Sequence, residues 1–358
     1  MICFEGFKKN KFAFVKMNDS KTPNKQDRHD DGHAPAVSVI VPAYNVAQFI
    51  AATLDSVLAQ TFTDYEIVVV NDGSPDTPAL EAALAPYRDS IIYTKQENGG
   101  PSSARNTAIR QARAAYVALL DADDLWLPDY LAEQMKFLRG NPAIDLVYAD
   151  ASLFGDSELS GQTFMQTAPS RGLVTLESLL AIQCSVITTC VVARKAALID
   201  AGLFDENFLR CEDFDLWLRL AHKGHKLAYQ RKVLARHRLH DASLAADARR
   251  LFESQIEVYR KFDRTPGLPT ATRDIIASQI RRCEAYLALE EGKRQIGAGD
   301  YEKAFENLSR ANNFYRSGKL RLALLGLRRA PKLLRLIYGA RRKASTRHLT
   351  SEVMGGER

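Results

Sequence analysis

The chain has 358 residues, 46% hydrophobic and 26% charged, with 20 Gly, 13 Pro and a formal net charge of +6. That is the make-up of an ordinary folded protein, and it excludes collagen-like, low-complexity and wholly disordered classes. The charge is uneven: residues 244–358 hold 24 of the 49 Lys and Arg but fewer than a third of the 43 Asp and Glu, so a net acidic front precedes a basic end.

Residues 1–35 end in the polar, aperiodic stretch SKTPNKQDRHDDGHAP and are expected to be a mobile leader. VSVIVPAYN follows as a short β-branched run, the pattern of a buried strand. Ile50, Leu54, Val57 and Leu58 then recur at helical spacing, and YEIVVVNDGS is a second apolar strand closed by turn residues. LEAALAPY reads as a helix, IIYTKQ as a strand, SSARNTAIRQARA as a helix and YVALLDADD as a strand. Strand and helix alternating in this way predict a parallel α/β sheet with right-handed crossovers. Ligands of such sheets gather beyond the C-terminal strand ends. That rule selects Ala43–Asn45, Asp72–Ser74 and Asp121–Asp124.

From about residue 245 the pattern becomes helical. Gly292, the Gly299–Asp300–Tyr301 turn, and Ala304, Leu308 and Ala311 resemble one tetratricopeptide hairpin. Between Arg316 and Lys343 lie ten basic residues and no acidic one, among leucines that can share a helix face, with Pro331 breaking the run into two short helices. A basic amphipathic tail suits an anionic membrane surface. The expected organisation is a leader at 1–35, an α/β domain at 36–245, a helical extension at 246–315 and a basic tail at 316–358. Cys3, Cys184, Cys190, Cys211 and Cys283 form no CxxC pair, so neither a disulfide framework nor a zinc site is expected, and a reducing cytosol suits them. No apolar run approaches the roughly 18 residues of a membrane span. A cytoplasmic protein at the inner membrane face is the expectation.

The acidic clusters carry the chemistry. Asp72 can accept from a ring N–H, beside a glycine that lets a ligand near the backbone. Asp121, Asp123 and Asp124 crowd into DADD, and such carboxylates repel unless a cation neutralises them. Hard divalent ions take one or two carboxylates plus substrate phosphates, so DADD points to a metal–diphosphate site. A third cluster, Glu212–Asp213–Phe214–Asp215, opens a helix carrying Leu216, Trp217 and Leu220.

VSVIVPAYN, VVVNDGSPD, ENGGPSSARNTAIRQARAAYVALLDADD, GLFDENFLRCEDFDLWLRLA and RHRLHDASL, in that order, resemble family-2 glycosyltransferases of the GT-A fold over roughly residues 37–245. The resemblance implies inverting transfer of a sugar from a nucleotide diphosphate, most naturally a UDP-sugar, to a glycan or lipid-linked acceptor in surface or extracellular polysaccharide synthesis. It also implies roles. Ala43 and Tyr44 would line the nucleoside, Asp72 would bind the base and Asp121 the ribose. Arg105 would pair with the diphosphate or orient an Asp. Asp123 would hold Mn²⁺ or Mg²⁺, with His240 completing the metal's coordination or touching a phosphate. Asp213 would be the base, and Asp124 would orient its loop or cap a helix. Arg238 and Ser243 match the same segment. His237 and His222 are read as surface residues, and Asp215 as a helix cap. Trp126 is either a wall of the sugar pocket or core, and Ser185–Cys190 is expected near the acceptor. A nucleotidyltransferase is disfavoured because VPAYNVAQF has neither Gly nor Lys or Arg to grip a triphosphate. A degenerate adaptor would have lost the carboxylates, and nucleic-acid binding lacks interleaved aromatics in the tail.

Overall fold

The computed structural model describes residues 34–240 and 247–337. The expected leader, Ser243 and the last 21 residues of the basic tail lie outside the described residues, apart from position 34 onward. The strands are β1 (Val37–Ala43), β2 (Tyr65–Asp72), β3 (Ile92–Gln96), β4 (Tyr116–Leu119), β5 (Leu125–Trp126), β6 (Leu146–Gly155), β7 (Val191–Arg194) and β8 (Leu227–Leu239). The helices are α1 (Ile50–Leu58), α2 (Thr77–Leu84), α3 (Gly100–Gln111), α4 (Tyr130–Gly140), α5 (Phe164–Thr167), α6 (Leu176–Leu180), α7 (Lys195–Asp200), α8 (Glu212–His222), α9 (Ala248–Asp263), α10 (Thr270–Ala298), α11 (Tyr301–Tyr315) and α12 (Gly318–Arg329).

All eight strands form one sheet in the order β3-β2-β1-β4-β7-β6-β8-β5. The expected parallel pairing holds for β3, β2, β1 and β4. Beyond β4 the sheet is mixed, because β7 lies antiparallel to both β4 and β6, while β6 and β8 run parallel and β5 closes the edge antiparallel to β8. The sequence there offers only short runs, and their direction is set by which edge remains open.

Alternation along β1 explains the layering. Val37, Val39, Val41 and Ala43 face one apolar layer with α1, α2 and α4, while Ile40 faces the other with α3, α6 and α8. Side chains of period two therefore anchor helices on both faces, as a sheet buried on both sides requires. Since β2 and β4 flank β1, the strand order reverses at β1 and opens a crevice at the C-terminal ends of these three strands.

Among the described residues, α9 to α12 and a helical stretch at 331–337 follow β8. The expected hairpin forms between α10 and α11, turning at Gly299 with φ +86°. At Gly292 a β-carbon would meet Leu308 Cδ2 at 2.8 Å, so glycine lets the two helices approach. α10 alone runs 29 residues, nearly the length of a whole two-helix repeat of about 34. The first of these helices, α9, is fastened to the sheet layer by Ile256, Val258, Tyr259 and Phe262 in the main core, and by charge as well. Asp215, fully buried in α8, accepts from Arg219 Nε at 2.8 Å and Lys261 Nζ of α9 at 2.6 Å. It is an ion-pair anchor and not the helix cap expected of it. Lys261 also reaches Asp205 at 2.7 Å; burial opposes that carboxylate's charge, but Lys261 and Asn207 together bring its pKa down to about 2.

Asp215→Ala should leave Arg219 and Lys261 without their shared buried carboxylate and cost about 3 kcal/mol. The measurement is urea unfolding, and an unchanged midpoint would show that α9 is held by its apolar contacts alone.

Candidate active site

The crevice begins with a pinned loop after β1. Asn45 stands at φ +56°, its N–H donates to Ser74 Oγ at 2.6 Å, and the Ala47 N–H donates to Asp76 Oδ2 at 2.9 Å. The turn after β2 is thereby tied to the turn after β1. Ala43 is fully buried in the core, whereas Tyr44 is exposed. Asp72 is buried at the end of β2, and its Oδ1 accepts from Gln96 Nε2 at 2.7 Å and from the Gly99 N–H at 2.9 Å. Those bonds fix the carboxylate and use only one of its oxygens. At Gly73, φ +61°, a β-carbon would lie 2.6 Å from the Asn98 nitrogen, so only glycine fits this close approach.

The DADD turn is a second pinned element. Thr53 Oγ1 in α1 donates to the carbonyls of Ala122 and Asp124 at 2.8 and 2.9 Å. Asp124 is fully buried and acts as the loop's anchor: Oδ1 accepts from the Arg238 N–H at 2.7 Å, and Oδ2 lies 2.8 Å from His237 Nδ1. Burial pushes Asp124 up to about 6, against the pull of the His237 charge. Burial works against a charged imidazole too, yet the neighbouring carboxylates, Asp124 first, raise His237 to about 9. His237 is therefore not the free surface residue expected from sequence, because the end of β8 turns it onto a carboxylate 113 residues earlier. His222 is exposed.

Asp123 Oδ2 lies 2.9 Å from His240 Nε2, and both side chains are partly open to solvent. A carboxylate oxygen and an imidazole nitrogen suit a Mn²⁺-type ion, and two ligands at adjacent positions of an octahedral ion stand about 3 Å apart when each bond is about 2.1 Å. Among the described residues no group of three His, Cys, Asp or Glu converges. The pair could thus supply two ligands and leave the others to substrate phosphates, so the donor set fits a divalent cation. Arg238 braces this wall: its Nε donates to the Asp123 carbonyl at 2.9 Å, and its guanidinium lies over the Phe49 and Phe154 rings at 4.6 and 4.4 Å. Phe49 also stacks on His240 at 5.6 Å.

Arg105, on α3, is buried and bridges two acids. Its Nη2 donates to Asp121 Oδ1 and its Nη1 to Glu212 Oε1, both at 2.7 Å. Burial raises Glu212 to about 7 in spite of Arg105. The guanidinium of Arg105 is raised above its ordinary range, since the two carboxylates outweigh the cost of burying it. Arg105 thus orients acids and does not face outward. Glu212 opens α8 after Cys211, which adopts φ +60°, a conformation costly for a residue with a side chain.

Asp213, the next residue, is partly buried. Its Oδ2 accepts from Thr188 Oγ1 at 2.7 Å, and its Oδ1 from the Phe214 N–H at 2.7 Å. Thr189 in turn accepts from the Asp121 N–H at 3.3 Å, and its carbonyl accepts from Trp126 Nε1 at 2.8 Å. Trp126 is core, stacked on Tyr130 at 4.1 Å. Segment 185–190 therefore ties the DADD turn to the start of α8. Thr188 and Thr189 were not singled out individually by sequence reasoning; an apolar strand entry carrying two adjacent threonines between two acidic clusters was the available signal.

The Glycosyl transferase family 2 model matches residues 38–195. Over 213 residues the chain is 34% identical to an uncharacterized glycosyltransferase of Rickettsia typhi, covering 59% of this chain and 66% of that protein. Over 237 residues it is 30% identical to one of Rickettsia prowazekii, covering 64% and 72%. It is 28% identical over 233 residues to the UDP-Glc:α-D-GlcNAc-diphosphoundecaprenol β-1,3-glucosyltransferase WfgD of Escherichia coli, covering 64% and 87%. Several of the rickettsial relatives are much longer, and the chain spans 36% of the Rickettsia felis protein and 30% of the Rickettsia bellii one. In fold it is similar to Staphylococcus aureus TarS 1-349 in complex with UDP-GlcNAc, with TM-score 0.59 and 21% identity over 86% of this chain and 92% of that one. It is also similar to the mannosyltransferase PcManGT of Pyrobaculum calidifontis in complex with GDP-Man and Mn²⁺, at TM-score 0.55 and 21% identity over 89% and 88%. At that identity the two structures speak to the fold alone.

Two measurements probe the electrostatics. Arg105→Met should destabilise the fold by about 3 kcal/mol in urea unfolding, because two carboxylates lose their shared cation, and Arg105→Lys should recover only part, since one ammonium cannot fork to both. For His237, the unfolded imidazole titrates near 6.5 and the folded one near 9, so the folded chain keeps a proton that the unfolded chain has released. The resulting stability is complete below about pH 6.5 and fades as pH rises through about 9. In metal-free buffer, His237→Asn should flatten this loss, and an identical slope in wild type and variant would assign it to another group.

Proposed function

The chain belongs to glycosyltransferase family 2, and from that premise we propose that it moves a sugar, with inversion at the anomeric carbon, from a UDP-sugar to a hydroxyl of a lipid-linked glycan acceptor during surface or extracellular polysaccharide synthesis. The observation that carries the proposal is the convergence of the three strand-end motifs with the start of α8: Arg105 joins Asp121 to Glu212, and the Thr188–Thr189 pair joins Asp121 to Asp213. The E. coli relative uses UDP-Glc and a diphosphoundecaprenol-linked acceptor, which supports both the donor and the acceptor class.

In this reading Asp72 receives the N3–H of uracil on the oxygen not engaged by Gln96 and Gly99, and exposed Tyr44 covers the base. Asp121 receives a ribose hydroxyl, its own orientation held by Arg105. Asp123 and His240 would hold Mn²⁺ or Mg²⁺. When bound, such an ion offsets the negative charge that grows on the departing diphosphate. Asp213 takes the proton of the acceptor hydroxyl on a carboxylate oxygen as the hydroxyl oxygen bonds the anomeric carbon and the bond to the diphosphate breaks. Thr188 and the Phe214 N–H fix that carboxylate at the start of α8. A positioned base contributes on the order of 10²–10⁴-fold in rate.

Calorimetric titration of UDP with and without Mn²⁺, on wild type and Asp123→Ala, is the test. Binding that needs both the metal and Asp123 is expected. GDP or TDP binding with the same dependence while UDP is silent would change the base recognised, and no nucleoside diphosphate binding at all would overturn the transferase reading. Asp213→Asn should keep UDP affinity while turnover falls by about 10²–10⁴-fold, and loss of UDP binding instead would remove Asp213 from the role of base.

A further inference from the structure

At the end of the described chain, α12 and the helical residues 331–337 bury one side and leave another uncovered. Leu320, Ala323, Leu324, Leu327 and Leu334 pack with Ile296, Ala304 and Leu308 in a small apolar cluster against α10 and α11. At about 100° per residue, Leu322 and Leu325 point away from that cluster, and they are 70% and 45% exposed. The next helical stretch repeats the device: Leu333, Leu336 and Ile337, spaced i, i+3 and i+4, are 57%, 69% and 47% exposed. Five large aliphatic side chains in water on two adjoining helical segments are not needed by the core, which these helices already satisfy through their other face.

The polar residues around these leucines are of one sign. Arg316, Lys319, Arg321, Arg328, Arg329, Lys332 and Arg335 are all exposed, and no Asp or Glu occurs from 316 to 337. Among the described residues none of the seven has a carboxylate partner; Arg328 lies over the Phe305 ring at 4.6 Å. Earlier in the helical region several charges are paired, as in Arg294–Glu291 and Lys293–Glu290. Exposed leucines set among unpaired cations match an interface that is apolar in its depth and anionic at its surface. No helix among the described residues is long and apolar enough to cross a membrane, so this surface would lie on a bilayer and not within it.

We propose that residues 318–337 form a docking surface for an anionic lipid bilayer, with Leu322, Leu325, Leu333, Leu336 and Ile337 entering the interface and the surrounding Arg and Lys pairing with lipid phosphates. The attraction is partly coulombic and is screened by salt, while the leucine contribution is not. This surface is independent of the donor crevice and of the function proposed for it.

The test is vesicle co-flotation of the full chain. Wild type should float with mixed phosphatidylcholine–phosphatidylglycerol vesicles and stay behind with pure phosphatidylcholine. Replacing Lys319, Arg321, Arg329 and Lys332 by Gln should weaken partitioning by about a thousandfold at low salt. Replacing Leu322, Leu325, Leu333 and Leu336 by Ser should abolish flotation at high salt. UDP titration on each variant reads the integrity of the α/β part, so a misfolded variant is recognised and the transferase reading is tested separately. Wild type that does not float with anionic vesicles, or floats equally after the Gln replacements, overturns the proposal. So does a wild-type dimer in solution that the Ser variant converts to monomer without any vesicle binding, which would assign the leucine face to self-association.

Discussion

The site is organised by the need to neutralise carboxylates. Asp121, Asp123, Asp124, Glu212 and Asp213 crowd together, and left alone they would repel one another and raise the cost of folding. The chain supplies two resident cations for three of them. Arg105 forks between Asp121 and Glu212, and the imidazolium of His237 meets Asp124. Asp123 and Asp213 are left with milder partners, an imidazole and a hydroxyl, and both stay more open to solvent than Asp124 and Glu212.

This division of labour depends on burial. Arg105, Asp124 and Glu212 are withdrawn from solvent, where a lone charge would be intolerable and a paired one is rigid. Their rigidity orients the neighbours that face the crevice. Asp124 anchors the turn that presents Asp123, and Glu212 anchors the helix start that presents Asp213. Each motif thus pairs a buried acid that holds the backbone with an adjacent, more open one. The Thr188–Thr189 segment, on the mixed side of the sheet, joins the two motifs through hydrogen bonds from the Asp121 N–H at 3.3 Å and to Asp213 at 2.7 Å.

The helices after β8 belong to the same structural logic. Lys261 links α9 to Asp215 in the very helix that carries Glu212 and Asp213, and the Tyr259 hydroxyl donates to the Leu180 carbonyl at 2.9 Å. The first of these helices therefore braces the side of the sheet that carries Glu212 and Asp213. Farther along, α12 packs Leu324 and Leu327 onto α10 and α11 and keeps Leu322, Leu325 and its cations outward.

Local signals were sufficient for the parallel half of the fold. Apolar strands of the right length, alternating with helical periodicity, determined β1 to β4 and hence the three turns at which Tyr44, Asp72 and Asp123 stand, since period and turn chemistry are properties of neighbouring residues. The amphipathic hairpin around Gly299 and the one-signed tail were legible for the same reason. The mixed half was not, because the direction of β7 and the joining of β6 to β8 follow from which edges are free once the first strands have paired. Nor could sequence alone choose between Arg105 facing a diphosphate and Arg105 facing acids, or tell His237 from a surface residue. Those answers lie in contacts 107 and 113 residues apart, and only a packed interior, with its penalty on unpaired charge, decides them.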